Sequence, residues 1–226
     1  MSTCRSISDL VLPLLPQILA RRNDVHEKPD GSYVTAADLY IQSTILNFLR
    51  AHHPEYKVIS EELALPVGSR NEEATYLIMD PLDGTENFVS GLKEWGIGVS
   101  IYDSGQHRES MILLPELGER IITGQQMPRF TSRIHGISSS LRKQDLEGLE
   151  EGFEYRLMGC SMYNMFNVLR GSYRVFENIK GVNAWDILPG LNLALEHGCQ
   201  TYVDGEIYHG EILWPDRKYR VKISNR

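Results

Sequence analysis

The chain has 226 residues, 42% of them hydrophobic, and a formal net charge of −7. That length can bury a full core as one large domain, and the acidic balance excludes a broad basic footprint for nucleic acid or an anionic membrane. The three cysteines, Cys4, Cys160 and Cys199, are odd in number and form no C-x-x-C pair, which supports neither a disulfide framework nor a zinc knuckle.

Residues 10–19 are apolar but short and interrupted by Pro13 and Pro16, so they read as a kinked helix rather than a signal peptide or a membrane span. With reduced thiols, a cytoplasmic protein is the simplest expectation. Residues 23–33 are polar, and Lys28-Pro29-Asp30-Gly31 reads as a turn in a loop. Thr35-Ala36-Ala37-Asp38 has the form of a capping box with Asp in place of Glu, opening a helix whose apolar face runs through Ile41, Ile45, Phe48 and Leu49 towards Pro54. Read alone, Asp38 caps this helix, where the macrodipole favours a negative charge.

Residues 56–59 form a short expected strand that delivers Glu61 and Glu62 into a loop containing Pro66 and Gly68. Residues 76–79 form a second, which delivers Asp80 and Asp83. Pro81 biases Asp80 towards extended geometry and Gly84 permits close backbone approach, so Asp80 and Asp83 can converge. Carboxylates placed after successive strands meet at one sheet end, a usual ligand location, and such hard oxygens suit Mg²⁺.

Residues 96–102, 109–114 and 119–123 read as strands of an antiparallel meander, and 133–139 as another strand. A charged helix is expected over about 141–150, then a strand over 155–158. Gly159-Cys160-Ser161 opens a helix with Met162, Met165, Phe166 and Leu169 on its apolar face, and such an N-terminus can hold an anion. Residues 173–176 read as a strand, followed by a polar loop carrying Glu177 and Lys180. Asp186 stands at the start of the next helix, as an N-cap with Pro189 in the first turn. Strands over 201–203 and 219–223 follow. No repeat or long linker divides the chain, so one domain over 1–226 is expected, with lobes of about 1–125 and 126–226.

Taken together, Glu61-Glu62, the run Asp80-Pro81-Leu82-Asp83-Gly84-Thr85-Glu86-Asn87-Phe88, and Trp185-Asp186-Ile187-Leu188-Pro189-Gly190 resemble the inositol monophosphatase family of Mg²⁺-dependent, lithium-sensitive phosphatases. Val34-Thr35-Ala36-Ala37-Asp38, after the loop that begins at Lys28, fits the same pattern. The resemblance implies an α/β layered αβαβα sandwich, a homodimer, two or three Mg²⁺ ions and a small phosphorylated metabolite as substrate. It implies Glu61, Asp80, the Leu82 carbonyl, Asp83 and Asp186 as metal ligands. Thr85, paired with Asp38 and assisted by Glu61, would position or deprotonate the attacking water. Asp83, Gly84, Thr85, Gly159, Cys160, Ser161, Glu177 and Asp186 would face the substrate, with Glu177 needing extra residues before Trp185 to fit.

The sequence departs from that pattern in places. Leu188 and Pro189 stand where the family has two small residues, which suggests a narrowed site or a shifted helix. Ser60 precedes the acidic pair in place of Gly. The middle is short and the pattern's closing helix has no counterpart by Asn225, so a shortened sandwich is expected. Asn87-Phe88 favours an inositol or sugar phosphate over a 3′(2′),5′-bisphosphate nucleotide, and a regulatory or binding protein on the same fold is the alternative of another class.

Overall fold

The computed structural model describes residues 2–29, 31–63, 70–71, 73–139 and 141–225; the expected turn residue Asp30 and loop residues Pro66 and Gly68 lie outside these. Helix α1 (Thr3–Val11) passes through a 3₁₀ turn (Leu12–Leu14) into α2 (Leu15–Leu19). This is the expected kink, because Pro13 and Pro16 lack the N–H that a continuous helix needs. Strands β1 (Val25–Glu27) and β2 (Tyr33–Thr35) pair antiparallel inside the stretch expected to be loop. Three residues are too few for alternation to show in a sequence.

Helix α3 (Ala36–His52) has the predicted capping box: Thr35 Oγ1 accepts from Ala37 N at 3.1 Å, and Thr35 N donates to Asp38 Oδ2 at 2.9 Å. It packs with α1 on the first sheet, formed by β3 (Lys57–Ser60), β4 (Thr75–Asp83), β5 (Gly96–Asp103), β6 (Gln106–Leu114) and β7 (Glu119–Ile122), adjacent in that order. A short helix α4 (Thr85–Val89) follows β4. Strands β3 and β4 are parallel and the rest antiparallel, so β3 and β4 end on the same side. Ile7, Ile41 and Ile45 meet Leu77, Met79 and Val99 in one core.

The second sheet has the order β12-β11-β13-β10-β8-β9, where β8 is Ile134–Ile137, β9 Glu154–Leu157, β10 Val175–Val182, β11 Gln200–Val203, β12 Glu206–Ile207 and β13 Tyr219–Ser224. Helices α5 (Ser161–Leu169) and α6 (Ala184–Glu196) lie between the sheets, burying Met165, Leu188 and Leu191 among Ile78, Ile112, Phe176 and Ile223. The layered α/β fold is therefore present, as helix, sheet, helix, sheet. All three cysteines are free and buried, and among the described residues no helix is long and apolar enough to cross a membrane.

Three local expectations are corrected. The helix expected over about 141–150 is a single 3₁₀ turn (Lys143–Leu146), because Leu146 and Leu149 stay exposed and no buried face stabilises a longer helix. The loop expected to carry Glu177 and Lys180 is the continuation of β10 to Val182. The N-cap of α6 is Asn183, which places Asp186 third in the helix and Pro189 inside it rather than in the first turn. There Pro189 packs over Gly98, where a Cβ would lie 3.0 Å from Pro189 Cγ and 2.1 Å from Met162 Cε.

Helices α5 and α6 cross closely at Gly190. A Cβ there would lie 2.2 Å from Met165 Sδ and 2.7 Å from Met165 Cβ. Gly190→Ala should therefore lower the unfolding free energy by about 1–3 kcal/mol through overpacking. Urea denaturation checks this, and adding Met165→Ala should recover part of the loss; an unchanged midpoint for the single variant would contradict the packing.

Candidate active site

Four carboxylates meet where β3 and β4 end against the N-terminus of α6. Glu61 directly follows β3, Asp80 and Asp83 close β4, and Asp186 sits in the first turn of α6. In a regular strand, residues three apart face opposite sides. Here Asp80 pairs with Gly98 and Asp83 with Gly96, so β4 advances three residues while β5 advances two. That bulge, at the N–H-less Pro81, turns both aspartates to one side.

Ligand oxygens of Glu61, Asp80 and Asp186 lie within 4.8 Å of one another. Burial pushes the Asp80 and Asp186 carboxyls well up, and the neighbouring acidic charges add to the effect. A set of oxygen donors this close, mutually repelling and poorly hydrated, fits a hard divalent cation. The cluster already attracts one positive group: Lys28 Nζ donates to Glu61 Oε1 at 2.9 Å and Glu62 Oε1 at 2.5 Å. Burial alone would lower the Lys28 pKa, but these two hydrogen bonds outweigh it and hold the ammonium above its ordinary range.

Asp83 is placed differently from the other three. Its Oδ2 accepts from Met162 N at 2.5 Å and from Cys160 Sγ at 3.1 Å, so the N-terminus of α5 already holds an anion, the Asp83 carboxylate. Burial pushes the Asp83 pKa up to about 7 against these bonds. Gly159, Cys160 and Ser161 line the same cavity, of about 220 Å³, together with Leu82, Gly84 and Thr85. Gly84 has φ +85°, and a Cβ there would lie 2.8 Å from Cys160 Cβ, so only glycine joins the end of β4 to α4 at this spot.

Asp38 and Thr85 do not form the expected pair. Thr85 Oγ1 donates to the Leu82 carbonyl at 3.2 Å, and Asp38 Oδ2 is occupied by Thr35. Asp38 Oδ1 is buried without a hydrogen-bond partner, and burial pushes this carboxyl up to about 6. Glu177 is turned away from the cavity altogether. It lines a separate cavity with Tyr202 and Arg220, and its carboxylate lies 3.6 Å from His135 Nε2 and 3.7 Å from Lys222 Nζ. Its neighbours Phe176 and Asn178 face the site instead, as alternation along β10 requires.

Leu188 and Pro189 do not narrow the site: both are buried between the sheets and neither lines the cavity. Sequence reasoning missed Lys28 as a partner of Glu61, and Ser138, Ser139, Asn178 and Asn183 as lining residues. Ser138-Ser139 follows β8 directly, so the strand-end argument that found Asp80 had the same signal there.

The model of the inositol monophosphatase family matches residues 6–133, more than half of the chain. The chain is 26% identical over 202 residues to the Nus factor SuhB of Pseudomonas aeruginosa, covering 77% of this chain and 73% of that protein. It is 34% identical over 92 residues to the 3′(2′),5′-bisphosphate nucleotidase CysQ of Escherichia coli K12, covering 41% and 37%. Among solved structures, an IMPase/NADP phosphatase complexed with Mg²⁺ and phosphate superposes with a TM-score of 0.81 at 21% identity, over 100% of this chain and 92% of that one. An IMPase of Thermotoga maritima gives 0.78 at 21% identity, over 99% and 89%. With the acidic strand ends, the capped helices and the layered sheets in place, the chain belongs to the inositol monophosphatase family.

Proposed function

We propose that the chain is a cation-dependent phosphatase acting on a small phosphate monoester, of the inositol or sugar phosphate kind. The observation that carries this reading is the convergence of Glu61, Asp80 and Asp186 within 4.8 Å, in a cavity shared with Gly84 and Thr85. Family membership supports it, as does the Mg²⁺ and phosphate in the name of a protein of the same fold.

Glu61, Asp80 and Asp186 would hold the cation, with the Leu82 carbonyl and the free oxygen of Asp83 as further donors. Bound there, Mg²⁺ supplies positive charge against the phosphate oxygens and a lowered pKa for water. The protein's own part is positional. The Thr85 hydroxyl, released from the Leu82 carbonyl, orients the attacking water. Asp38 Oδ1 is a buried carboxylate oxygen without a hydrogen-bond partner, although Asp38 does not line the cavity. Gly84 lets the ester approach the backbone, and Asp83, gripped by α5, keeps the turn in place.

A second reading is favoured by one observation, the likeness to a protein named a Nus factor across most of the chain. In it the fold serves as a binding protein. The intact carboxylate cluster weighs for catalysis, because buried like charges are costly unless used.

Phosphate release from a panel of inositol, sugar and nucleotide phosphates should require Mg²⁺. Asp83→Asn should lower kcat at least about a hundredfold, as loss of a group acting on the transition state does, whereas Glu86→Gln, at an exposed position, should change it by less than about threefold. No Mg²⁺-dependent release from any ester by folded protein would sink the enzyme reading.

The raised carboxyls also predict a pH effect. Unfolded aspartates titrate near ~3.9, while Asp38 is pushed up to about 6 and Asp83 to about 7. A raised folded pKa means that the cation-free fold binds more protons than the unfolded chain, so its stability falls as pH rises from about 4 through about 7. The Tm of chelator-treated protein should therefore drop over this range, and added Mg²⁺ should raise Tm more at about pH 8 than at about pH 5. Equal gains at both pH values would contradict the assignment.

A further inference from the structure

The face of the second sheet that looks away from α5 and α6 carries a second cavity, of about 540 Å³. Its floor is β13, which lies between β11 and β10. Val221 and Ile223 are buried in the core, so alternation along β13 turns Arg220, Lys222 and Ser224 outward. On the neighbouring strand Tyr202 stands opposite Lys222 and Gln200 opposite Ser224, and these residues all line the cavity.

Polar residues on an open sheet face are ordinary. What sets this face apart is that it is walled. On one side rises the turn between β11 and β12, Asp204-Gly205, with φ of +52° and +91°. Asp204 N donates to Arg220 O at 2.8 Å, Arg220 N to Asp204 Oδ1 at 3.0 Å and Arg217 Nη1 to Asp204 Oδ2 at 2.8 Å, which fixes the turn against β13. On the other side stands Ile179, in the bulge where β10 advances four residues, from Asn178 to Val182, against two of β13.

Arg220 and Lys222 share the cavity with the carboxylates of Asp204 and Glu177, and both carboxylates are engaged elsewhere. Asp204 accepts the bonds just given, and Arg220 Nε comes only to within 4.0 Å of it. Glu177 lies 3.7 Å from Lys222 Nζ and 3.6 Å from Nε2 of His135, a buried imidazole whose nitrogens have no hydrogen-bond partner among the described residues. Glu177 therefore keeps His135 beside it when Lys222 turns away. The Arg220 and Lys222 side chains are 67% and 43% exposed, and exposed pairs at such distances are weak. An anion in direct hydrogen-bond contact with both cations outcompetes them.

We propose that this cavity is a second binding site, apart from the carboxylate cluster, for a small hydroxylated molecule bearing one oxyanionic group. Arg220 and Lys222 hold the anion, while Gln200, Ser224 and the Tyr202 hydroxyl bond to hydroxyls on its body. Phosphate and carboxylate share this chemistry. Asn178 borders both cavities, so a single strand, β10, separates the two sites. Binding here makes and breaks no covalent bond and does not depend on the phosphatase reading.

Calorimetry on the full chain tests this with a hexose phosphate, the uronic acid of the same hexose and the neutral hexose, with chelator present so that no cation holds an ester at the carboxylate cluster. One or both anions should bind, and the neutral sugar far more weakly; the anion that binds identifies the group. Arg220→Gln and Lys222→Gln should each weaken binding about tenfold, as loss of a charge-assisted hydrogen bond does, and Lys222→Arg should retain it. Because both side chains face solvent, these variants should keep the Tm of the unmodified protein. Thr85→Ala, in the other cavity, should leave the affinity unchanged. Binding lost in Thr85→Ala but kept in Arg220→Gln and Lys222→Gln, equal binding of the neutral sugar, or no binding of either anion would overturn the proposal.

Discussion

Several carboxylates held together at the edge of a core set the terms for the rest of this molecule. Two like charges about 4 Å apart repel by about 4 kcal/mol at an effective dielectric constant near 20, before the loss of hydration is counted. The fold offsets this with helix N-termini. Asp38 closes the capping box of α3 and Asp186 that of α6, while Asp83 accepts from the first turn of α5. Three helices thus present the positive ends of their dipoles to one region, each gripping one acid. Lys28 adds a full charge on Glu61 and Glu62. Asp80, held by the Leu82 N–H at 3.0 Å, lies between them without a helix of its own.

The same arrangement explains why bulky residues after Trp185-Asp186 are harmless. Asp186 must face the cavity while Leu188 and Pro189 fall on the side of α6 that packs between the sheets. Space for Pro189 comes from Gly98, which lies directly across from Asp80 in the ladder. The glycine that lets Met162 and Pro189 approach the sheet therefore also neighbours the acidic strand end. Packing and site are coupled there through a single missing Cβ.

Much of this was legible in the sequence. The apolar runs before Glu61 and Asp80, the Thr35 cap and the Pro81–Gly84 turn each carry a local signal, and together they located both strand ends and the acids on them. What escaped depended on information that lies elsewhere in the chain. The 141–150 segment has charges at helical spacing, but whether a helix forms there depends on a surface to bury Leu146 and Leu149, and none is provided. Glu177 is one residue from the cavity-lining Asn178, yet strand alternation sends it to the other face. The Thr85 hydroxyl can turn to several acceptors, and no pattern of residue types tells that it rests on the Leu82 carbonyl. Lys28 stands between β1 and β2, 33 residues before Glu61, and a contact across that separation leaves no local mark in the sequence.

The central claim is that Glu61, Asp80 and Asp186 form one cation site, and crystallography with Mn²⁺ in place of Mg²⁺ tests it most directly. Anomalous difference density should appear among these three carboxylates, with the Lys28 ammonium displaced from Glu61. Density elsewhere, or none while Lys28 remains on Glu61, would contradict the account.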